Sequence, residues 1–193
     1  MRIEPIESDS DTYIVGISEI RNSKRLSQND LLELSSSLSN ENLIVQLLNG
    51  LLVADESHLL SAAQNAVNAL NGNYMLTRTL DVEVIVYASA QRQIGKALDE
   101  FGIFDGLENV AAVVIGHGQN KVKQTLDKLI TIVGEEFSTP FEATRERFNR
   151  IKEHFQIDDI EIATFTNSTD EIERQKALSK CVVSRVSLVA FDS

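Results

Sequence analysis

The sequence predicts a mixed α/β fold: a single domain with a central mixed or antiparallel sheet of about four to five strands, flanked by helices. Two features carry this expectation. Short, β-branched apolar runs recur at 11–20, 43–48, 82–87 and 110–115, each the length of one strand. Between and after them lie longer stretches whose apolar residues return at helical spacing. A chain of 193 residues with 42% hydrophobic and 24% charged residues can bury one substantial core. Residues 1–12 are expected to form a flexible N-terminus and 13–193 the domain.

The first strand is expected at Asp11–Ile20, with Gly16 as a bulge. Ser27 and Asp30 then open a helix over residues 28 to 39, weakened by the serines at 35–37. Leu43–Leu48 is continuously apolar and reads as a buried strand ending at Asn49-Gly50. Leu51–Ala54 reads as a short extended piece. Asp55 or Ser57 starts a helix with Leu59, Leu60, Ala63, Ala66, Val67 and Leu70 on one face, stopped near Gly72. His58, with no second ligand at metal spacing, reads as a surface or edge histidine. Val82–Tyr87 predicts a buried strand that runs straight into a helix carrying Ile94, Ala97, Leu98 and Phe101. Val110–Ile115 is the next strand, parallel to it if the pair forms a βαβ unit. Val122, Leu126, Leu129, Ile130 and Val133 make the following helix amphipathic. Pro140 introduces a helix through His154-Phe155 with Phe141, Phe148, Ile151 and Phe155 as its stripe. Residues 158–166 fit a short helix or an extended segment. Ser168-Thr169-Asp170 caps a last helix whose end, up to Phe191, is β-branched enough to finish as a strand.

Composition narrows the function. The net charge of −11 argues against a broad phosphate-binding surface. A local site is still allowed, because Lys121, Lys123 and Lys128 share one expected helix and Arg145, Arg147, Arg150 and Lys152 another. Glu142, Glu146 and Glu153 lie among the second group, as on an ordinary solvated helix face. No apolar run is long enough to span a membrane, and the acidic N-terminus lacks a secretory h-region. Cys181 is the single cysteine, which forbids an intrachain disulfide and fits a reducing cytoplasm. No carboxylate pair, metal cluster or nucleophile elbow is evident, so neither a cofactor nor a metal is expected. Gly116-His117-Gly118 lies between a strand and a helix and would serve an alternative reading, a small nucleotide- or phosphate-binding enzyme. Its spacing matches neither a P-loop nor a dinucleotide fingerprint.

The most informative stretch is Ser89–Gln93. Ser89 stands at the expected start of a helix, and Arg92 adds a guanidinium to free backbone N–H groups, an arrangement suited to an anion. The heptapeptide Ala88-Ser89-Ala90-Gln91-Arg92-Gln93-Ile94 resembles the A-S-G-Q-R-Q-I signature of the small, kinase-binding subunit of KEOPS, the complex that makes threonylcarbamoyladenosine in tRNA. By order of elements the resemblance extends over about Asn42 to Phe191, although only the heptapeptide is specific.

The resemblance implies a non-catalytic subunit that grips the single-stranded 3′ CCA end of tRNA and contacts the kinase-like ATPase of the complex. Its tRNA site would be Ser89, Ala90, Gln91, Arg92, Gln93 and Ile94. Ile94 reads either as core or as an apolar wall for a base. Ala90 stands where the family has glycine, which weakens the site if the backbone there has positive φ. The kinase contact is expected in the C-terminal helical region, with Leu178, Val182 and Arg185 as candidates; ordinary packing of a last helix is the alternative for them. A pure protein–protein adaptor would leave the Ser89–Gln93 turn empty.

Overall fold

A computed structural model describes residues 1–9 and 11–190. Its sheet is antiparallel throughout, built from β1 (Arg2–Ser8), β2 (Asp11–Arg21), β3 (Leu43–Asn49), β4 (Asn109–Gly116) and the short β5 (Glu135–Glu136). The strand order is β1-β2-β4-β3, and β5 pairs with Ile20 and Arg21 at the far end of β2. The residues expected to fray therefore supply an edge strand. Pro5 sits within it, where a missing N–H is tolerated.

Eight α-helices surround the sheet among the described residues: α1 (Gln28–Leu38), α2 (Glu56–Asn71), α3 (Leu80–Ala88), α4 (Ile94–Phe101), α5 (Gln119–Val133), α6 (Arg145–His154), α7 (Asp159–Ala163) and α8 (Glu171–Leu188). Strand alternation sorts them into two layers. Ile20, Val45, Leu47, Val110, Ala112 and Val114 point to α1 and α5. Val15, Ile17, Leu48, Ala111, Val113 and Ile115 point to the larger layer of α2, α3, α6 and α8.

Gly16 is not a bulge: it pairs in regular register with Ile3 and Val114. A Cβ there would come within 2.6 Å of Leu126 and Val122, so glycine lets α5 lie close on the sheet. The serines of α1 have a similar local reason. Ser35 Oγ donates to the Val45 carbonyl and the Val45 N–H donates to Ser39 Oγ, which occupies the outer edge of β3.

The largest departure from expectation is Val82–Tyr87, which is helical. Glu83 through Ala88 are all buried, so α3 is apolar all round, and its sequence loses the period that separates a buried helix from a buried strand. The surroundings decide. The buried Glu83 carboxylate accepts from Leu76 N–H at 3.1 Å, Thr77 N–H at 2.8 Å and Thr77 Oγ at 2.7 Å, fixing the entry to the helix. No βαβ unit exists there, and β4 runs antiparallel to both neighbours.

Elsewhere, Leu51–Ala54 is not extended: Gly50–Leu52 forms a turn of 3₁₀-helix. Pro140 does not start a helix. Phe141 has φ of 53° and its N–H donates to Glu19 Oε2, while α6 begins after Thr144, whose side chain accepts from Arg147 N–H. Residues 159–163 settle as helix, and α8 stays helical through Leu188; Phe191 lies outside the described residues.

Two buried polar groups bolt the large layer together. Arg147 donates to Glu19 Oε1 at 2.6 Å and to the Gly50 and Val53 carbonyls at 2.8 and 2.9 Å, joining α6 to β2. His58, expected at the surface, is fully enclosed. Its Nδ1 accepts from Ala54 N–H at 3.2 Å, so its Nε2 carries the proton and donates to the Ala88 carbonyl at 2.8 Å. Burial pulls the imidazole down from 6.5 to about 4, against the smaller upward pull of the Ala88 carbonyl and Asp55. Because the folded value lies below the unfolded one, the unfolded chain takes up a proton first as pH falls. Stability is therefore whole above pH 6.5 and is lost toward pH 4. Urea denaturation at pH 7.5 and pH 4.5 should show the wild type losing roughly 2 to 3 kcal/mol more than a His58→Gln variant over that interval; equal losses would contradict a neutral buried imidazole.

Candidate functional site

The Ser89–Gln93 turn joins two helices, α3 and α4. Ser89 is the C-cap of α3 rather than the N-cap of α4; it is 1% exposed and its Oγ donates to the Val86 carbonyl at 3.0 Å. The next two amides complete a Schellman motif: Ala90 N–H donates to the Tyr87 carbonyl and Gln91 N–H to the Val86 carbonyl. That motif places its C′ residue in the left-handed region, and Ala90 has φ of 51°. The condition attached to the missing glycine is thus met. An L-residue there costs about 1–2 kcal/mol, partly offset because the Ala90 methyl packs against the core. His58 holds the same place from below through the carbonyl of Ala88.

From Arg92 to Lys96 the chain is exposed. Gln93 is the N-cap of α4 and makes no side-chain capping bond. The first bond of the helix is Ala97 N–H to the Gln93 carbonyl, so the amides of Ile94, Gly95 and Lys96 have no partner within it. A Cβ added to Gly95 would meet nothing within 4 Å, so a ligand has room to approach this backbone. Ile94 is 36% exposed and Leu98 41%, whereas Ala97 and Phe101 carry the helix into the core. Between the two readings of Ile94, exposure leaves the side chain available as an apolar wall.

Arg92 Nη1 donates to the Val189 carbonyl at 3.0 Å, at the C-terminal end of α8. This is the favourable, negative end of that helix. Arg92 has no acidic partner among the described residues. Below it, burial first, then Tyr74 and Glu83, push the Tyr87 phenol up to about 12, with the Arg92 charge pulling the other way. The turn thus brings together exposed amides, a guanidinium fork and an apolar side chain, a combination that suits a phosphate with a base beside it.

The three candidates on α8 separate. Leu178 and Val182 are fully buried in the large core layer, the packing alternative raised by the sequence, so another protein cannot reach them without opening the fold. Arg185 is at the surface and is held as a fork on Glu161, with Oε2 at 2.9 Å. The exposed apolar residue at this end of α8 is Leu188, at 53%.

Four of the other basic candidates are held locally, while Lys121, Lys128 and Arg145 are exposed. Arg147 is buried, Arg150 pairs with Glu146 at 2.5 Å, Lys152 with Asp159 at 2.8 Å and Lys123 with Asp127 at 2.7 Å. His117 stacks on Tyr13 with ring centres 4.6 Å apart, and its Nδ1 lies 3.4 Å from the Thr12 carbonyl. Among the described residues there is no group of three or more His, Cys, Asp or Glu side chains placed to hold a metal, and no helix is long and apolar enough to cross a membrane.

Sequence reasoning missed His58 and Glu83, the two buried groups that set where α3 begins and ends. A signal for His58 was present: it precedes Ala62, Ala66 and Ala69 at helical spacing, and those small residues form the buried face of α2.

The chain is similar to the EKC/KEOPS complex subunit CGI121 of Yarrowia lipolytica (strain CLIB 122 / E 150), with 29% identity over 111 residues. That match takes in 58% of this chain and 62% of the relative, so the chain spans less than two thirds of the length of the curated relative. A family model described as "Kinase binding protein CGI-121" matches residues 17–190, which includes every strand but β1 at least in part, all eight helices and the whole exposed turn, and the chain therefore belongs to the CGI-121 family of kinase binding proteins.

Proposed function

We propose that this protein is a non-catalytic subunit of a KEOPS-type tRNA-modifying complex, in which it docks on the kinase-like ATPase and holds the single-stranded 3′ CCA end of tRNA at Ser89–Ile94. Family membership supports the kinase partner. The observation that carries the RNA role is the exposed, uncapped start of α4 with Arg92 beside it. A chain of net charge −11 has little to offer a duplex, but a single-stranded end needs only a few phosphate contacts and a surface for a base. The first-turn amides and Arg92 would take phosphate, Gln91 and Gln93 base edges, and Ile94 the face of a base. The buried Ser89 and the left-handed Ala90 would shape the turn rather than touch RNA. The complex works in the cytoplasm in this reading.

In this reading the kinase contact would use the outer face at the C-terminal end of α8, around Leu188 and Arg185; the exposure of Leu188 and the enclosure of Leu178 and Val182 support that choice.

Four substitutions test this reading. Arg92→Glu should weaken binding of mature tRNA about 10- to 100-fold, the worth of a charge-assisted contact, in a mobility-shift assay that includes tRNA trimmed of its CCA. Unaltered affinity, or equal affinity for trimmed tRNA, would refute the site. Leu188→Glu should abolish co-purification with the kinase while keeping the wild-type melting curve. Leu178→Glu should instead cost more than about 4 kcal/mol and unfold the chain; a folded Leu178→Glu protein that has lost the kinase would reverse the assignment. Ala90→Gly should tighten RNA binding and raise stability by up to about 1 kcal/mol, relief of the left-handed strain less the entropy of glycine, as read by denaturant titration. A loss of stability would mean that the packed methyl outweighs the strain.

A further inference from the structure

The bond between Arg92 and Val189 crosses 97 residues of sequence and joins two surfaces that the proposed function treats separately. One is the exposed start of α4. The other is the end of α8, where Leu188 is offered to a partner. We infer that Arg92 couples these surfaces, so that an RNA 3′ end held at the turn and a protein seated on the end of α8 each strengthen the binding of the other. The inference rests on the RNA reading given above and adds its regulation.

A guanidinium is a rigid planar fork with five N–H donors, and here one nitrogen is committed to the Val189 carbonyl while the side chain stays exposed. Fixing one branch of a plane aims the others. An α8 end that is firmly wound therefore presents the remaining donors in one orientation beside the unpartnered amides of α4. An α8 end that frays releases a side chain with several rotatable bonds, whose ordering must then be met by the RNA. The side chains of Val186 and Val189 anchor the last turn of α8 in the core, but its backbone closes through a long bond, from the Val189 N–H to the Val186 carbonyl at 3.3 Å. Arg92 supplies its outside support, at the end of the helix where a cation is favoured. A protein covering Leu188 would hold this turn wound and so hold the fork in place. By linkage, RNA that fixes Arg92 must stabilise the same turn by the same factor.

The coupling is read by hydrogen exchange of amides 185–190, followed by mass spectrometry, with the full chain and a tRNA acceptor minihelix ending in unpaired CCA as the probe. Without RNA, Arg92→Ala should speed exchange in 185–190 and leave α2 unchanged. Saturating minihelix should slow exchange there about fivefold or more in the wild type, and by less than twofold in Arg92→Lys, whose compact ammonium on a flexible stem lacks the rigid fork that aims one branch from the other, measured at RNA concentrations that saturate the variant. With the kinase bound, minihelix affinity should rise, and the minihelix should raise the affinity for the kinase by the same factor. Minihelix that binds wild type without altering 185–190 would overturn the coupling alone. Equal protection in Arg92→Lys would overturn the role of Arg92. Failure of the minihelix to bind at all would remove the RNA reading and the coupling with it.

Discussion

The site depends on where α3 stops, and that is fixed by a neutral imidazole sealed in the core. His58 spans from the Ala54 amide, just ahead of α2, to the Ala88 carbonyl, the last residue of α3. An imidazole can satisfy both groups in only one tautomer, donating from Nε2 and accepting at Nδ1, and burial keeps it uncharged so that both bonds persist. With the Ala88 carbonyl taken, the helix closes through the Schellman bonds of Ala90 and Gln91, and the chain leaves toward solvent as α4. The exposed amides at Ile94–Lys96 and the reach of Arg92 to α8 both follow from that exit.

The polar network around Glu19 does for α6 what His58 does for α3. Glu19 is 1% exposed, and its two oxygens take Arg147, Asn109 and the amide of Phe141. Arg147 closes on the carbonyls of Gly50 and Val53, next to the Ala54 that His58 uses. The two networks therefore meet on one short segment, Gly50–Ala54, which binds strand, helix and turn into a common frame. Buried charges of this kind add little net stability but make wrong packings costly, because any misplacement leaves a charge without its partner.

Much of this was legible in the sequence, and the misses have common causes. Strands at 11–21, 43–49 and 109–116 carried their signals locally, in β-branched residues and in the breaks that bound them. Val82–Tyr87 carried the same signal and folded as a helix. A segment buried on every side shows no period, and side-chain preference then yields to the environment that Glu83 and α2 provide. Leu178 and Val182 were ambiguous for a different reason: an apolar residue on an amphipathic helix reads alike whether it faces the core or a partner. The turn at Ser89–Gln93 was singled out by its likeness to a family signature, although Ser89 proved to end one helix and not to begin the next. His58 and Arg147 were misread because burial of a polar side chain depends on partners distant in sequence.

The central pairing of the sheet joins β2 to β4, which lie almost ninety residues apart. The helices on either side of the turn, α3 and α4, belong with β3 to the excursion between them, and among the described residues β3 pairs only with β4 in the sheet. On a ribosome, the exposed turn is thus polymerised before the strand that completes the platform beneath it. The nascent chain must hold α2, α3 and β3 without the strand that joins β3 to β2 until residues 109–116 have emerged. That interval is when a chaperone has most to hold, and it gives the long-range closure, rather than any local helix, control over the folding rate.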